Sequence, residues 1–244
     1  MDRLKGKVAI ITGAASGQGA AEARLFAAEG AKVVIADINE RDGRKLAEEI
    51  GTNALFVGLD VSDEDSWARA IAAAQKAFGT VTVLVNNAGI YKPKTFQESD
   101  RVLLDLHYRV NVLGVFLGMQ AVYPAMMEAG GGAIVNVASG AGMRGYPGLF
   151  AYAGSKWMVR GLSRCAAIDL AASKIRVNVI APGLIDTPML GENQPEILEM
   201  MSKWPPAQRL GKPEEVAEAA LYLASDASSY VLGAEITVCG GLMA

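Results

Sequence analysis

Short runs of apolar and β-branched residues alternate along the chain with longer stretches in which apolar residues recur at helical spacing. The short runs predict strands at 7–12, 32–37, 54–59, 81–86, 133–138, 176–181 and 234–238. The longer stretches predict helices at 17–29, 40–50, 64–78, 100–127, 151–172 and 214–225. The strands are apolar almost throughout, which is typical of a parallel sheet covered on both faces.

This alternation of strands and helices continues along the chain and predicts βαβ units. The fold class that follows is α/β: a single domain over residues 1–244, with a doubly wound parallel sheet of about seven strands and helices on both faces. The widest segment without a clear element is 183–213, which is rich in proline. Long loops in compact domains are usually functional, so we expect this segment to be a substrate loop or lid.

Composition and charge argue against several classes of function. Hydrophobic residues make up 51% of the 244 residues, and the net charge of −3 comes without a dense basic run, which argues against a nucleic-acid partner. The two cysteines, Cys165 and Cys239, are too few for a disulfide framework. No apolar run approaches the roughly 18 residues that span a bilayer, and the N-terminus does not resemble a signal peptide. We therefore expect a cytoplasmic location and no membrane partner.

The first predicted strand runs directly into the glycine-rich sequence "TGAASGQG", and a predicted helix follows. Gly13, Gly17 and Gly19 let the backbone turn sharply, and the start of a helix offers free N–H groups to a phosphate. Any tight turn can use glycines, but here a second strand ending in Asp37 completes the order of a dinucleotide site. Asp37 can accept hydrogen bonds from the adenosine ribose, and it can also cap the next helix. The two roles are compatible, and after a glycine turn we favour the ribose.

Three further strand ends carry short motifs: "LDV" at 59–61, "NNAG" at 86–89 and "PGLIDTP" at 182–188. Each motif alone is typical of an ordinary turn. Ligands of open α/β sheets bind beyond the carboxyl ends of the strands. The recurrence of these motifs therefore predicts one extended ligand that lies across the sheet.

A serine, a tyrosine and a lysine form the candidate catalytic set. Ser139 follows a predicted strand, Tyr152 begins the next helix, and Lys156 lies one turn further on the same face. Their alternative roles are a turn cap, a core aromatic and a surface lysine. The chain has no G-x-S-x-G elbow and no cluster with metal-ligand spacing. The single histidine, His107, has no obvious acid partner and is expected to pack within its helix.

These motifs, together with Asn111 in "RVNVLGVF", resemble the short-chain dehydrogenase/reductase family over essentially the whole chain. The resemblance implies a Rossmann-like domain, a nicotinamide cofactor and a homotetramer or dimer. It implies that Tyr152 is the general acid/base and that Ser139 orients the substrate oxygen. It also implies that Lys156 holds the nicotinamide ribose and that Asn111 supports a water-linked proton relay. Since tyrosine titrates near 10, we expect the lysine ammonium, aided by the oxidised cofactor, to lower the pKa of Tyr152.

The cofactor is expected to be NAD, because Asp37 would repel a 2′-phosphate and no Arg or Lys occurs at 14–16. The expected cofactor contacts are Gly13, Ser16, Gly17, Gln18, Gly19, Asp37, Ile38, Asp60, Val61, Asn87, Ala88, Gly89, Tyr152, Lys156, Pro182, Gly183, Ile185 and Thr187. The expected substrate pocket consists of Ser139, Met143, Tyr146, Tyr152, Leu184 and Met189. Further candidates for its apolar wall are Leu149, Phe150, Leu190, Met200, Met201 and Trp204.

Two positions depart from the family pattern. Gly154 stands where the family often has Ala, which lowers helix propensity without changing the chemistry. The sequence "CGG" at 239–241 stands where "DGG" is frequent, and we expect this change to affect a subunit contact.

Three functions remain open from the sequence. The first is an NAD-dependent dehydrogenase of hydrophobic cyclic, aryl or steroid-like secondary alcohols, favoured by a resemblance to bacterial hydroxysteroid dehydrogenases in "NNAGI", "SKWMVRGLS" and "SSYVLGAE". The second is an NADPH-dependent 3-oxoacyl-carrier-protein reductase, against which Asp37 argues. The third is a non-catalytic NAD-sensing protein, which the complete set of catalytic residues disfavours.

Overall fold

A computed structural model of the protein describes residues 2–191 and 195–244. Within them, one parallel sheet contains seven strands in the order β3-β2-β1-β4-β5-β6-β7. The strands are β1 (Val8–Thr12), β2 (Lys32–Asp37), β3 (Ala54–Gly58), β4 (Val83–Asn86), β5 (Gly132–Val137), β6 (Ile175–Pro182) and β7 (Glu235–Val238). The predicted α/β fold class, a single-domain Rossmann-like sheet with flanking helices, is confirmed.

The α-helices of the described residues alternate with these strands. They are α1 (Gly17–Ala28), α2 (Glu40–Ile50), α3 (Glu64–Phe78), α4 (Arg101–His107), α5 (Gly114–Glu128), α6 (Phe150–Leu170), α7 (Pro188–Gly191), α8 (Pro195–Ser202) and α9 (Pro213–Ala224). Polar side chains cap the starts of α2, α3 and α4. At α3 the Asp63 side chain accepts a hydrogen bond from the Ser66 N–H.

The core consists of one apolar cluster on each face of the sheet. Ile10 and Ile11 are neighbours in β1 and both are fully buried, but they point to opposite faces. Ile11 packs with Phe26 of α1 on one face, whereas Ile10 packs with Trp67 of α3 on the other. This double burial explains why the strands are apolar at every position instead of alternating.

The sequence prediction was wrong in two places. The segment 183–213 is not without regular structure, because it contains α7 and α8; its residues 192–194 lie outside the described part of the chain. The predicted helix at 100–127 is not uniformly α-helical either. It runs from Arg101 to Glu128 through a π-helical turn at Tyr108–Leu113, and such turns are frequent at functional sites.

That long helix also bears on the membrane expectation. Among the described residues, Arg101–Glu128 is the one helix long and apolar enough to cross a membrane, although the sequence had suggested that no segment came close. In the structure 56% of its most apolar window is buried inside the protein. A helix buried in the core of a globular protein meets the same length and hydropathy criteria, so this helix is weak evidence for a membrane span.

The strand order reverses direction at β1, which pairs with β2 on one side and with β4 on the other. All strands are parallel, so their carboxyl ends lie along one edge of the sheet. The crevice at such a reversal is where open α/β sheets bind ligands. The residues that follow β1, β2, β3, β4, β5 and β6 therefore form the candidate site.

Candidate active site

The ends of β1 and β4 are tied together by the Asn87 side chain. Its Nδ2 donates hydrogen bonds to the carbonyl oxygens of Thr12, at 2.9 Å, and of Gly13, at 3.1 Å. Gly13 has a φ of +64°, and a Cβ at this position would lie 2.7 Å from the Cα of Ala88. Only glycine fits here, because the two backbones touch and the conformation is left-handed.

The turn after β1 leads the chain into α1 with its N–H groups towards the cavity. Ser16 is the N-cap of α1 but makes no side-chain cap hydrogen bond, so the first-turn N–H groups remain available to a ligand. Ser16, Gly17 and Gln18 line the cavity. Gly19 does not: a Cβ there would lie 2.5 Å from the Gly13 carbonyl oxygen, so this glycine permits close packing beneath the turn.

Asp37, at the end of β2, is fixed by two backbone N–H groups. Its Oδ2 accepts from Ala15 at 2.9 Å and its Oδ1 accepts from Asn39 at 2.9 Å. The cap of α2 is Asn39, whose side chain accepts from the Asp42 N–H. The alternative interpretation of Asp37 as the helix cap is therefore wrong, and the carboxylate lines the cavity beside the glycine turn.

Ser139, Tyr152 and Lys156 meet above the carboxyl end of β5. Lys156 is buried, and its Nζ donates a 2.9 Å hydrogen bond to the carbonyl oxygen of Val137, the last residue of β5. The Nζ lies 5.9 Å from the centroid of the Tyr152 ring. The Ser139 side chain is hydrogen-bonded to Tyr152. The helical spacing of Tyr152 and Lys156 thus places both groups beside the serine at the strand end.

Burial dominates the electrostatics of this set. Burial raises the pKa of Tyr152, the hydrogen bond from Ser139 opposes that rise, and the nearby Tyr91 adds to it. Burial also lowers the pKa of Lys156 to about 8. The expected lowering of the pKa of Tyr152 by the lysine is therefore not a property of the protein alone, because burial of the phenol raises that pKa.

Asn111 lies in the π-helical turn and is fully buried. Its Oδ1 accepts from the Ile90 N–H at 2.8 Å, and its Nδ2 donates to the Ile90 carbonyl oxygen at 3.1 Å and to Ser155 Oγ at 3.0 Å. The side chain holds the loop after β4 against α6 and does not line the cavity. It is a hydrogen-bonded core amide, which is compatible with the supporting role that the family resemblance implies.

Two aromatic side chains pack on Tyr152. The ring of Tyr91 lies 5.1 Å from that of Tyr152 at 87°, and the ring of His107 lies 6.2 Å away at 71°. His107 is fully buried in α4, where burial lowers its pKa and its Nδ1 lies 2.9 Å from the Leu103 carbonyl oxygen. Sequence reasoning missed Tyr91, although its position just after "NNAGI" at a strand end is a usable signal.

One cavity of about 860 Å³ connects these groups. All the expected cofactor contacts except Gly19 line it, and so do all the expected substrate residues except Met143. Of the further wall candidates, Phe150 and Met200 do not reach it. Leu242 and Met243 line it from the C-terminal end of the chain, which nothing in the sequence indicated. No group of three or more potential metal ligands occurs among the residues that the structure describes.

Comparison with known proteins decides the family. A family model described as "Enoyl-(Acyl carrier protein) reductase" matches residues 13–243. A 2,5-dichloro-2,5-cyclohexadiene-1,4-diol dehydrogenase, LinX, from Sphingobium indicum is 43% identical over 98% of this chain and 97% of its own length. The chain belongs to the short-chain dehydrogenase/reductase family.

Other members of the short-chain dehydrogenase/reductase family are similar over nearly the full chain. A 3-alpha-(or 20-beta)-hydroxysteroid dehydrogenase of Mycobacterium tuberculosis is 43% identical over 99% of this chain and 91% of its own length. A 3-oxoacyl-[acyl-carrier-protein] reductase, FabG, of Thermotoga maritima is 42% identical over 99% of both chains. These names support an oxidoreductase of the secondary alcohol dehydrogenase type.

Short-chain dehydrogenases use nicotinamide cofactors, and the residues present fit such a group. The Gly13 turn packs against the end of β4 and leads the chain into α1, whose first turn offers N–H donors and the positive end of its dipole to a phosphate. Asp37 supplies carboxylate oxygens to a ribose at the end of β2, and Lys156 supplies a cation at the end of β5. The order of these groups along the sheet edge matches an extended dinucleotide.

Proposed function

We propose that this protein is an NAD-dependent oxidoreductase that interconverts hydrophobic cyclic, aryl or steroid-like secondary alcohols and their ketones. The observation that carries the proposal is the meeting of Ser139, Tyr152 and Lys156 at one end of the cavity. The apolar side chains around that end, Leu184, Met189 and Leu190 among them, support a hydrophobic substrate. The printed names of the cyclohexadiene-diol and hydroxysteroid dehydrogenases support a ring-bearing one.

In this proposal, oxidation removes a hydride from the carbinol carbon and a proton from its hydroxyl. The bound nicotinamide supplies the hydride chemistry. The Tyr152 oxygen accepts the proton in oxidation and returns it in reduction, as a general base and acid. The Ser139 hydroxyl, next to the phenol, hydrogen-bonds the same substrate oxygen and holds it in line.

Lys156 supports the tyrosine electrostatically and by position. One N–H of its ammonium is held by the Val137 carbonyl oxygen, which leaves two donors for the hydroxyls of the nicotinamide ribose. With a pKa of about 8, the side chain is mostly protonated at neutral pH, so its charge favours the phenolate. Asn111 fixes the loop after β4 through Ile90. In the proposal it also supports a water-linked proton relay.

The proposed preference for NAD over NADP rests on Asp37. Its carboxylate is held at the cavity wall by two N–H groups, so it cannot turn away from a ligand without losing both hydrogen bonds. A 2′-phosphate would meet this negative charge, and positions 14–16 provide no lysine or arginine to offset it.

The alternative function is that of an NADPH-dependent 3-oxoacyl-carrier-protein reductase. The similarity to FabG favours it, and the same catalytic residues serve both reactions. The Asp37 carboxylate argues against it through the cofactor. A second alternative, a non-catalytic NAD-sensing protein, predicts cofactor binding without turnover of any alcohol or ketone.

We also propose a homotetramer in the cytoplasm, with no membrane and no nucleic-acid partner. Exposed apolar side chains on two helices support assembly: Phe116 and Tyr123 on α5, and Trp157 and Ile168 on α6. Cys165 and Cys239 are both free, which suits a reducing compartment. Sedimentation of the purified protein tests the assembly, and a monomer would contradict it.

The deciding experiment is a screen of initial rates with NAD⁺ and NADP⁺ against secondary alcohols. The panel contains cyclohexanols, aryl carbinols, hydroxysteroids, short hydroxy acids and sugar phosphates, with a 3-oxoacyl thioester and NADPH in the reverse direction. We expect the highest kcat/KM for a neutral ring-bearing alcohol with NAD⁺. A higher value for the thioester with NADPH would favour the alternative, and NAD binding without any turnover would favour the sensing protein.

A further inference from the structure

The C-terminal segment, residues 239–244, lies between the two stretches of chain that border the substrate end of the cavity. Gly240 and Gly241 have φ angles of +59° and +87°, so the chain turns back after β7. The Gly240 carbonyl oxygen accepts a 3.0 Å hydrogen bond from the Ala207 N–H. A Cβ on Gly241 would lie 3.0 Å from Pro206. One side of the segment is therefore held against the end of the predicted lid.

The other side of the segment meets the loop after Ser139 through Met243. A Cβ on Gly140 would lie 3.1 Å from both the Cε and the Sδ of Met243, so the methionine packs directly over this glycine. The Met243 Sδ also lies 3.6 Å from the Tyr146 hydroxyl. Arg144 holds that hydroxyl with a 2.8 Å hydrogen bond from its Nε.

These contacts place the end of the Met243 side chain against Gly140, the residue that follows Ser139 in the chain. Met243, Gly140 and Tyr146 all line the cavity, so their contact forms part of its wall and not a separate surface cluster. The sequence had suggested that the "CGG" at 239–241 affects a subunit contact. That expectation stays a prediction; in the structure the two glycines give the turn that brings Met243 to this wall.

We propose that Met243 closes the substrate end of the cavity against Gly140 and Tyr146 and thereby limits the size of the alcohol or ketone that reaches Tyr152. The inference rests on the proposed function and narrows it, because compact single-ring substrates are favoured over fused multi-ring ones. A methionine at this position is adaptable, since its thioether has several low-energy conformations. It therefore disfavours bulky substrates without excluding them.

The test is a change in substrate ratio. We compare kcat/KM for a cyclohexanol and for a decahydronaphthol in wild type, Met243→Ala and Met200→Ala. Met200 is the matched control, because it is half exposed on α8 and does not line the cavity. Removing three heavy atoms from a substrate wall should raise the fused-to-single-ring ratio by about tenfold or more in Met243→Ala. The control should stay within about twofold of wild type.

Two further variants separate a specificity role from a purely structural one. Tyr146→Phe removes the hydroxyl that meets Met243 and should shift the ratio in the same direction by a smaller factor. The Cβ introduced by Gly140→Ala would crowd the Met243 side chain. This substitution should therefore change the ratio of fused-ring to single-ring kcat/KM in wild type but not in the Met243→Ala background. A stability change in Met243→Ala with an unchanged ratio would overturn the proposal.

A binding measurement keeps this test independent of the enzymatic function. The fluorescent probe 1-anilinonaphthalene-8-sulfonate, whose aromatic rings bind apolar surfaces and whose sulfonate is charged, is titrated into wild type, Met243→Trp and Met200→Trp. The tryptophan at 243 should fill the substrate end and weaken probe binding severalfold, whereas the tryptophan at 200 should not. If wild type turns over no alcohol, the proposed function fails. The comparison of probe affinities then still shows whether Met243 closes the substrate end of the cavity. Equal probe affinity in all three proteins would overturn the proposal that Met243 closes the cavity.

Discussion

At the scale of single residues, the site is governed by burial more than by paired charges. Tyr152 and Lys156 are neighbours on one helix face, but the pKa of each moves in the direction that disfavours its charged form. The phenol is surrounded by the rings of Tyr91 and His107, which provide no charge to stabilise a phenolate. Ser139 is the one neighbour whose hydrogen bond lowers the pKa of Tyr152.

Replacing Tyr152 by phenylalanine removes only the oxygen that titrates. We expect Tyr152→Phe to bind NAD nearly as wild type does and to lose roughly 10²–10⁴-fold in kcat, the usual contribution of a general acid or base. Steady-state kinetics and a cofactor titration measure the two effects. Tyr222→Phe, on the exposed side of α9, is the control. A kcat close to that of wild type in Tyr152→Phe would contradict the assignment of Tyr152 as the general acid and base.

The hydrogen bond from Ser139 to Tyr152 leads to a prediction about the pH dependence of kcat/KM. Alcohol oxidation needs the Tyr152 phenolate, so kcat/KM should rise with pH through the ionisation of this group. Because that hydrogen bond lowers the pKa of Tyr152, Ser139→Ala should move the rise to higher pH as well as reduce the maximal rate. The pH profile of kcat/KM in both proteins measures the shift. A profile that keeps its midpoint would show that the serine acts only on the substrate.

At the scale of elements, α1 carries a buried acid that the proposed chemistry does not use. Glu22 is fully buried, and neither carboxyl oxygen has a hydrogen-bond partner in the described structure. Burial raises its pKa to about 8 from an ordinary value of 4.5. The helix that carries it packs closely against α9. Glu22 is therefore protonated in the folded protein at neutral pH.

This buried acid should make the stability of the protein depend on pH. Between about 4.5 and about 8 the folded state holds the proton and the unfolded state does not, so the free energy of unfolding falls as pH rises. The slope for one such group is at most about 1.4 kcal/mol per pH unit. We expect Glu22→Gln to lack this slope in urea unfolding at pH 5 to 8. The control Glu48→Gln, at an exposed position, should show the same pH dependence as wild type. If the free energy of unfolding of Glu22→Gln fell with pH as steeply as that of wild type, the raised pKa of Glu22 would be contradicted.

The π-helical turn shows how an element serves the site without lining it. It interrupts the helix at Tyr108–Leu113, and Asn111 within it binds both the N–H and the carbonyl oxygen of Ile90. The loop that follows β4 is thereby fixed next to Tyr91, one of the two rings that pack on Tyr152. The same asparagine also reaches Ser155 on α6.

At the scale of the whole molecule, one cavity runs along the carboxyl edge of the sheet and touches residues after each of the seven strands. A ligand that fills it bridges elements that are distant in sequence, so binding should stabilise the entire domain. NAD at about 100 times its Kd should add about 2.7 kcal/mol to the free energy of unfolding, because only the folded state binds it.

Thermal unfolding with each cofactor tests two predictions together: that bound NAD stabilises the folded protein, and that Asp37 sets the preference for NAD. We expect NAD to raise the Tm of wild type clearly and NADP at the same concentration to raise it much less. In Asp37→Ala the difference between the two cofactors should narrow, because the like-charge repulsion is gone. Asp65→Ala, at the first turn of α3 and away from the cavity, is the control. An equal rise in Tm with both cofactors in wild type would refute the preference for NAD.

Local pattern was enough to predict the seven strands, most of the helices, the parallel sheet, and the meeting of Ser139, Tyr152 and Lys156. Each of these depends on period, on strand ends and on spacing along one helix, which neighbouring residues encode. Only the tertiary structure decided that burial raises the pKa of Tyr152 and that Met243 reaches the cavity wall. Desolvation and contacts between residues about a hundred positions apart depend on how distant segments pack, and no local period in the sequence records that.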